Sequence, residues 1–183
     1  MPNDLRLNTQ RLELIAGTAD LVRAHLDNPK GFALQLGARA PRISPPPPDV
    51  EAVMESMAQA LEKGPEEAGW WCWYFVLHDR GAGQRVLIGN GGFKGPPDAE
   101  GTVEIGYSLL PQFRDRGYAT EAVRALVAWA FEDPRVKRVI AETPRDNAAS
   151  VRVLDKAGFV QRGQGLEEGL IRLERVRQNQ EGR

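Results

Sequence analysis

The chain contains almost no cysteine and very little histidine. Its 183 residues include one cysteine, Cys72, and two histidines, His25 and His78. A lone cysteine excludes an internal disulfide, and three such residues scattered along a chain do not form a zinc-ligand pattern. The sequence therefore predicts no metal site, a buried Cys72 that acts as a small apolar residue, and two histidines on the surface.

Long apolar runs and an excess of charge are also missing. No stretch approaches the roughly 18 apolar residues of a membrane span, and the start, MPNDLRLNTQ, lacks the apolar segment of a secretion signal. Lysine and arginine (24) nearly balance aspartate and glutamate (25), which leaves no broad basic face for nucleic acid or an anionic membrane. These features predict a cytoplasmic protein with one domain over residues 1–183 and a polar tail from about 177.

The first half of the chain alternates between strand and helix patterns. Residues 5–16 have the alternation of a strand, and a short helix is predicted over 18–26. The proline-rich segment 38–48 is either a stiff connection or a lid over a binding cleft. Apolar residues then recur at helical spacing from Val50 to Leu61, with Asp49 placed to cap the first turn.

Three strands and their turns fill the middle of the chain. The run WWCWYFVLH, residues 70–78, is apolar on both alternating faces, which is typical of a strand covered on both sides. Strands over 85–93 and 102–110 follow as an antiparallel meander. The aromatic run either packs in the core or lines a substrate pocket through Trp71 or Trp73.

The second half predicts a crossover. A helix over 118–131 is followed by a strand over 136–142, a helix that ends at Gly158, and a last strand over 170–176. Strand, helix and strand in that order form a right-handed crossover with parallel pairing. The fold class is therefore α/β, with a mixed, mostly antiparallel central sheet flanked by helices.

The segment RDRGYA, residues 114–119, lies where a strand ends and a helix begins. The first N–H groups of a helix have no intrahelical partners and carry the positive end of the helix dipole. Arg114 and Arg116 add positive charge, Gly117 lets a ligand approach the backbone, and Ala119 keeps the next turn small. The segment is thus either a pyrophosphate site or an ordinary turn with exposed arginines. The chain does not match a dinucleotide-binding motif elsewhere either, because GNGGFKG at 89–95 departs from the G-x-G-x-x-G spacing.

RDRGYA also matches the pattern Q/R-x-x-G-x-G/A of the GNAT superfamily of N-acetyltransferases, which the chain resembles over roughly residues 5–176. EIGYSLLPQFRDRGYATEA and NAASVRVLDKAGF resemble two blocks of its ribosomal-protein N-terminal acetyltransferase branch, in the same order. The resemblance implies a sheet splayed at the coenzyme site and acetyl-CoA as cosubstrate. It implies binding of pantetheine and pyrophosphate by Leu109, Leu110, Arg114, Asp115, Arg116, Gly117, Tyr118, Ala119 and Thr120. Asn147 would cap its helix or bond the pantetheine chain.

The same resemblance suggests which groups move protons. Glu104 corresponds to a glutamate that faces the acceptor amine, although a strand-face carboxylate can equally pair with a lysine or arginine. Ser150 corresponds to a serine proposed to bond the coenzyme sulfur. Many members carry a tyrosine seven residues after the asparagine, where this chain has Leu154, so Tyr107 and Tyr118 stay open as alternative proton donors.

The function implied is acetyl transfer to a primary amine by direct attack in a ternary complex, because no residue has the marks of a covalent carrier. The acceptor is expected to be a protein N-terminus or a small amine, and Trp71, Trp73 and Tyr107 are the candidate substrate-binding residues. The protein is expected to be a monomer or homodimer that binds neither nucleic acid nor a membrane. The alternative is an acyl-CoA-binding sensor of the same fold, which needs neither Glu104 nor Ser150.

Overall fold

The computed structural model describes residues 5–39, 48–79 and 83–178. The strands are β1 Arg6–Asn8, β2 Leu12–Ala16, β3 Cys72–Asp79, β4 Gln84–Phe93, β5 Thr102–Leu109, β6 Arg138–Pro144, β7 Val160–Gln164 and β8 Leu170–Val176. The helices are α1 Ala19–Asp27, α2 Pro29–Gln35, α3 Pro48–Lys63, α4 Tyr118–Ala130 and α5 Ala148–Lys156. Most of the proline-rich connection, residues 40–47, lies outside the described residues, as does the end of the polar tail.

Within the described residues, the eight strands form one sheet in the order β1-β2-β3-β4-β5-β6-β8-β7. Neighbouring strands there are antiparallel except β5 and β6, which pair in parallel across the crossover helix α4. The predicted α/β fold with a mixed, mostly antiparallel sheet and flanking helices is confirmed. No helix in the described part of the chain is long and apolar enough to cross a membrane.

Both faces of the sheet are covered, as the aromatic run predicted. Trp73 and Phe75 point into the larger core beneath α4 and α5, whereas Tyr74 and Val76 point into a second core beneath α1 and α3. Cys72 belongs to the second core, and its burial raises the pKa of the thiol to about 12. Its predicted role as a small buried residue is confirmed, because a buried neutral thiol is a poor nucleophile.

Two expectations about the first half were wrong. Residues 5–16 form a hairpin of β1 and β2 rather than one strand, because Thr9 turns the chain through bonds to Leu12. His25 was expected on the surface, but its residue is only 7% exposed. The ring lies on the buried face of α1, stacked on Phe32 with centroids 4.5 Å apart and 5.7 Å from the centre of the Tyr74 ring in an edge-on arrangement. His78 is exposed, as predicted.

The sheet opens between β5 and β6. Residues 102–104 of β5 pair with 138–140 of β6, and the remaining residues of the two strands do not pair with each other. The C-terminal half of β5 therefore presents a free edge, and the helices that follow each strand, α4 and α5, begin beside it. A cleft at this opening contains the segments that the sequence singled out.

Candidate active site

The loop that leads into α4 carries two residues in left-handed conformation. A short 3-10 turn over Pro111–Phe113 ends β5, and Asp115 and Gly117 then have φ values of 59° and 80°. The conformation suits Gly117 but costs a non-glycine residue such as Asp115 on the order of 1 kcal/mol or more. Backbone strain of this kind persists only where the surroundings hold it in place.

The N-terminus of α4 is open to a ligand. Gly117 is its N-cap and supplies no side-chain cap, and the first helical bond runs from the N–H of Glu121 to the carbonyl of Gly117 at 3.1 Å. The N–H groups of residues 118–120 therefore face outward at the positive end of the helix dipole. This arrangement is typical of a phosphate site.

The β1–β2 hairpin clamps this loop. Arg11 donates from Nη1 to the carbonyl of Arg116 at 3.0 Å and from Nε to Glu121 at 2.7 Å, and its guanidinium lies 4.5 Å from the centre of the Tyr118 ring. Thr9 donates to Glu121 at 2.6 Å. Although burial opposes ionisation of Glu121, the bonds from Thr9 and Arg11 keep its pKa below the ordinary value. Sequence reasoning missed this clamp, since its partners lie more than a hundred residues apart.

One cleft of about 390 Å³ collects most of the predicted site. Its lining includes Tyr107, Leu109, Arg114, Asp115, Gly117, Tyr118, Ala119, Thr120, Asn147 and Ser150. Arg114 donates to the carbonyl of Leu109 at 3.1 Å, which holds its guanidinium at the cleft. Two of the predicted coenzyme-binding residues are not part of this lining: Leu110 faces a neighbouring cavity, and Arg116 faces a pocket beside Arg11.

The start of α5 forms the opposite wall of the cleft. Asn147 caps the helix by accepting a bond from the N–H of Ser150 at 3.1 Å, which leaves its amide NH₂ group for other partners. The hydroxyl of Tyr107 lies 3.1 Å from Oγ of Ser150. Burial raises the pKa of Tyr107, while the bond to Ser150 opposes that rise. Tyr107 therefore stays protonated at neutral pH and can donate a proton.

Leu154 stands where the resemblance would place a tyrosine. Its side chain is buried in the core, so the helix presents Ser150 to the cleft from its first turn instead. The neighbouring strand β5 supplies a phenol through Tyr107. A hydroxyl pair thus occupies the point where the two helices and the free edge of β5 meet.

Glu104 lies on the other face of β5. Successive side chains of a strand point to opposite faces, so Glu104 and Ser108 share one face and Tyr107 the other. The Glu104 carboxylate is 2.5 Å from Nζ of Lys94 and 17% exposed. Between Glu104 and Ser108 is Gly106, where an added Cβ would meet nothing within 4 Å. The face next to Glu104 is thus open.

The two tryptophans lie away from the cleft. Trp73 is completely buried, and its indole donates to the carbonyl of Gly69 at 2.7 Å. Trp71 is half-buried and donates to Glu67 at 3.0 Å. Trp73 is therefore a core residue, whereas substrate contact by Trp71, which does not line this cleft, stays a prediction.

The sheet splays between β5 and β6, and the open N-terminus of α4 lies at the splay. These are the features that the resemblance to N-acetyltransferases implied. Residues 21–160, well over half of the chain, match the model of the Acetyltransferase (GNAT) domain. The chain belongs to the GNAT family of acetyltransferases.

Individual relatives agree with this membership. Over 102 residues the chain is 33% identical to YjdG, an uncharacterized N-acetyltransferase of Bacillus subtilis, with 56% of this chain and 58% of YjdG covered. The match thus spans a little over half the length of that relative. The ribosomal-protein-S5-alanine acetyltransferase of Vibrio fischeri aligns with a TM-score of 0.62 at 17% identity, covering 98% of this chain and 100% of its own. The microcin C7 self-immunity acetyltransferase MccE, solved with acetyl-CoA and AMP, aligns with a TM-score of 0.57 at 17% identity, covering 92% and 93%. At such identities the structures establish the fold alone.

Proposed function

We propose that the chain transfers the acetyl group of acetyl-CoA to a primary amine by direct attack in a ternary complex. The observation that carries the proposal is the cleft itself. It joins an open helix N-terminus at Gly117 to the hydroxyl pair of Tyr107 and Ser150, along the free edge of β5. An anion site, a strand edge and a proton donor in this order correspond to the pyrophosphate, pantetheine and sulfur of the coenzyme.

Each part of the cleft fits its part of the cosubstrate. The open N–H groups of residues 118–120 and Arg114 would hold the pyrophosphate. Backbone groups along the free edge of β5 near Leu109 would bond the pantetheine amides as an added strand does, while the Leu109 carbonyl also accepts from Arg114. The amide NH₂ of Asn147 would bond the same chain from the opposite wall.

The chemistry requires two proton transfers, one from the amine and one to the departing thiolate. The amine nitrogen forms a bond to the acetyl carbonyl carbon, the bond from that carbon to sulfur breaks, and the amine proton must leave. In the proposal, Glu104 takes that proton through water, and the hydroxyl of Ser150 gives one to the departing thiolate. Tyr107, in contact with Ser150, replaces the proton that Ser150 loses. Glu104 and the hydroxyl pair lie on opposite faces of β5, so the acceptor would approach from the face opposite α4.

Replacing Ser150 tests the acid. We expect Ser150→Ala to lower kcat about tenfold, less than the roughly 10²- to 10⁴-fold that an acid usually contributes, because Tyr107 can still reach the thiolate through water. Coenzyme affinity should stay within about threefold, since the N-cap bond uses only the backbone N–H of residue 150. Rates come from thiol release and affinities from calorimetry. A double variant with Tyr107→Phe that is no slower than Ser150→Ala would contradict the proton relay.

The decisive experiment for the proposed function is a search for the acceptor amine. A thiol-release assay over polyamines, amino alcohols, amino-acid amides and N-terminal peptides should reveal at least one amine that accelerates coenzyme A formation above hydrolysis. The proteins compared above include a ribosomal-protein acetyltransferase and MccE, so both protein and small-molecule acceptors belong in the panel. Tight binding of acetyl-CoA without acetylation of any amine would instead support the alternative function, an acyl-CoA-binding sensor.

A further inference from the structure

A second cavity adjoins the cleft on the other side of the sheet. It measures about 280 Å³ and shares Ser108, Leu109 and Arg114 with the cleft. Its floor is a row of polar residues on three neighbouring strands: Tyr74 is the register partner of Asn90, and Asn90 of Ser108. Register partners project from the same face of a sheet, so their side chains adjoin one another. His25 of α1 completes the lining next to Tyr74.

Two polar atoms of this cavity lack a strong partner. The Tyr74 residue is completely buried and His25 is 93% buried, since 7% is exposed. Neither the Tyr74 hydroxyl nor Nδ1 of His25 makes a hydrogen bond of ordinary geometry, and the hydroxyl has only the thiol of Cys72, a weak hydrogen-bonding group, beside it. A buried polar group without a partner costs about 1 to 3 kcal/mol. Burial raises the pKa of Tyr74 well above its ordinary value and lowers the pKa of His25, so both groups are uncharged. Two unsatisfied, neutral groups at one cavity indicate a ligand that satisfies them.

The hydrogen-bonding capacities of the pair specify the ligand group. A neutral imidazole presents either a donor or an acceptor at Nδ1, and a phenol both donates and accepts. A hydroxyl satisfies the pair in either tautomer of His25: it donates to Nδ1 and accepts from Tyr74, or it accepts from Nδ1 and donates to Tyr74. A carbonyl oxygen serves only when Nδ1 carries the proton, and a methyl group serves neither atom.

We propose that this cavity selects the acceptor by binding the hydroxyl group of a hydroxyl-bearing primary amine between His25 and Tyr74. The inference rests on the proposed function, because it places the amine at the shared wall of the cavity and the cleft. The small volume suits a substituent of a few atoms. Among the described residues of the lining, Arg114 is the one with a fixed charge and none carries a carboxylate, which disfavours a second cationic group such as that of a polyamine.

The hydroxyl amine has two possible sources, which matched acceptor pairs separate. Ethanolamine against propylamine represents a free amino alcohol. A peptide that begins with serine, against one that begins with α-aminobutyrate, represents a polypeptide N-terminus. Each pair exchanges a hydroxyl for a methyl group. We expect kcat/KM to favour the hydroxyl member by about tenfold in the pair that matches the natural source.

Tyr74→Phe is the decisive variant. It should lower kcat/KM about tenfold for the hydroxyl acceptor and leave its isostere unchanged, which abolishes the preference. Comparing each acceptor between the two proteins cancels differences in amine basicity. The variant should also unfold at the same or a higher temperature, since it removes a buried hydroxyl that has no partner stronger than the Cys72 thiol. Ser56→Ala, which removes an exposed hydroxyl on α3, is the control and should keep the preference.

The outcomes separate this inference from the proposed function. If amines are acetylated without a hydroxyl preference, or Tyr74→Phe slows both members of a pair equally, the cavity proposal is overturned and the acetyltransferase stands. If no amine is acetylated, the proposed acetyltransferase function is wrong. Calorimetry on protein saturated with coenzyme A then tests whether the cavity binds the hydroxyl amine. Binding of the hydroxyl member alone, lost in Tyr74→Phe, supports the cavity, whereas equal binding of both members or binding of neither overturns it.

Discussion

Gly117→Glu should eliminate measurable binding of acetyl-CoA. Gly117 has a φ of 80° at the N-cap of α4, and a side chain there costs about 1 to 2 kcal/mol in the left-handed region. The added carboxylate would meet a pyrophosphate at close range, which costs about 1 to 4 kcal/mol for each pair of like charges near a protein surface. Each 1.4 kcal/mol is about a tenfold loss of affinity, so titration calorimetry should detect no binding at millimolar coenzyme.

Gly169→Glu is a matched control for this change. Gly169 has a φ of 86°, is exposed, and an added Cβ would meet nothing within 4 Å. The two variants therefore introduce the same charge and a similar backbone penalty, but only one of them does so at the start of α4. Equal affinities of the Gly117 and Gly169 variants for acetyl-CoA would show that the pyrophosphate does not bind at this loop.

The parts of the site that are local in sequence could be predicted. The loop 114–117, the helix start after it and the Asn147–Ser150 cap each lie within a few residues, so spacing and turn chemistry reveal them. Arg11 and Glu121 could not be found in this way, because a 110-residue separation closes only when β2 pairs with β3 and packs on α4. An arginine in a hairpin turn carries no local signal of that contact.

The cavity lined by His25 and Tyr74 could not be predicted from the sequence for a different reason. Hydrophobic patterning correctly predicted that both faces of the aromatic strand are buried, but it treats Tyr74 as an apolar residue and says nothing of its hydroxyl. His25 was misplaced because histidine is intermediate in burial, so its residue type alone does not show whether it lies on the buried face of a helix. Strand β7 was missed since all five of its residues are exposed, which leaves no apolar alternation. Whether a buried polar group finds a hydrogen-bond partner, and which segment forms an edge strand, depends on tertiary contacts that sequence patterns do not show.

Glu104→Gln should lower kcat by about a hundredfold or more near pH 7, in the range that a general base contributes. The amide keeps the shape of the carboxylate but cannot accept the amine proton, so coenzyme affinity should change little. Thiol release with the best acceptor gives the rate, and calorimetry gives the affinity. For an α-amino acceptor with a pKa of about 7.7 to 8.0, the deficit should shrink as pH rises past that value. Below it the amine is mostly protonated and needs a base, whereas above it the amine is already neutral.

Lys94→Met separates a base from a structural ion pair. Lys94 is mostly exposed and contacts the Glu104 carboxylate at 2.5 Å, so its replacement removes the partner but keeps the carboxylate. If Glu104 is the base, Lys94→Met should therefore retain most of the activity that Glu104→Gln loses. An equal loss in both variants, constant from pH 6 to 9 across the amine pKa near 8, would instead show that the pair only holds the β4–β5 turn in place.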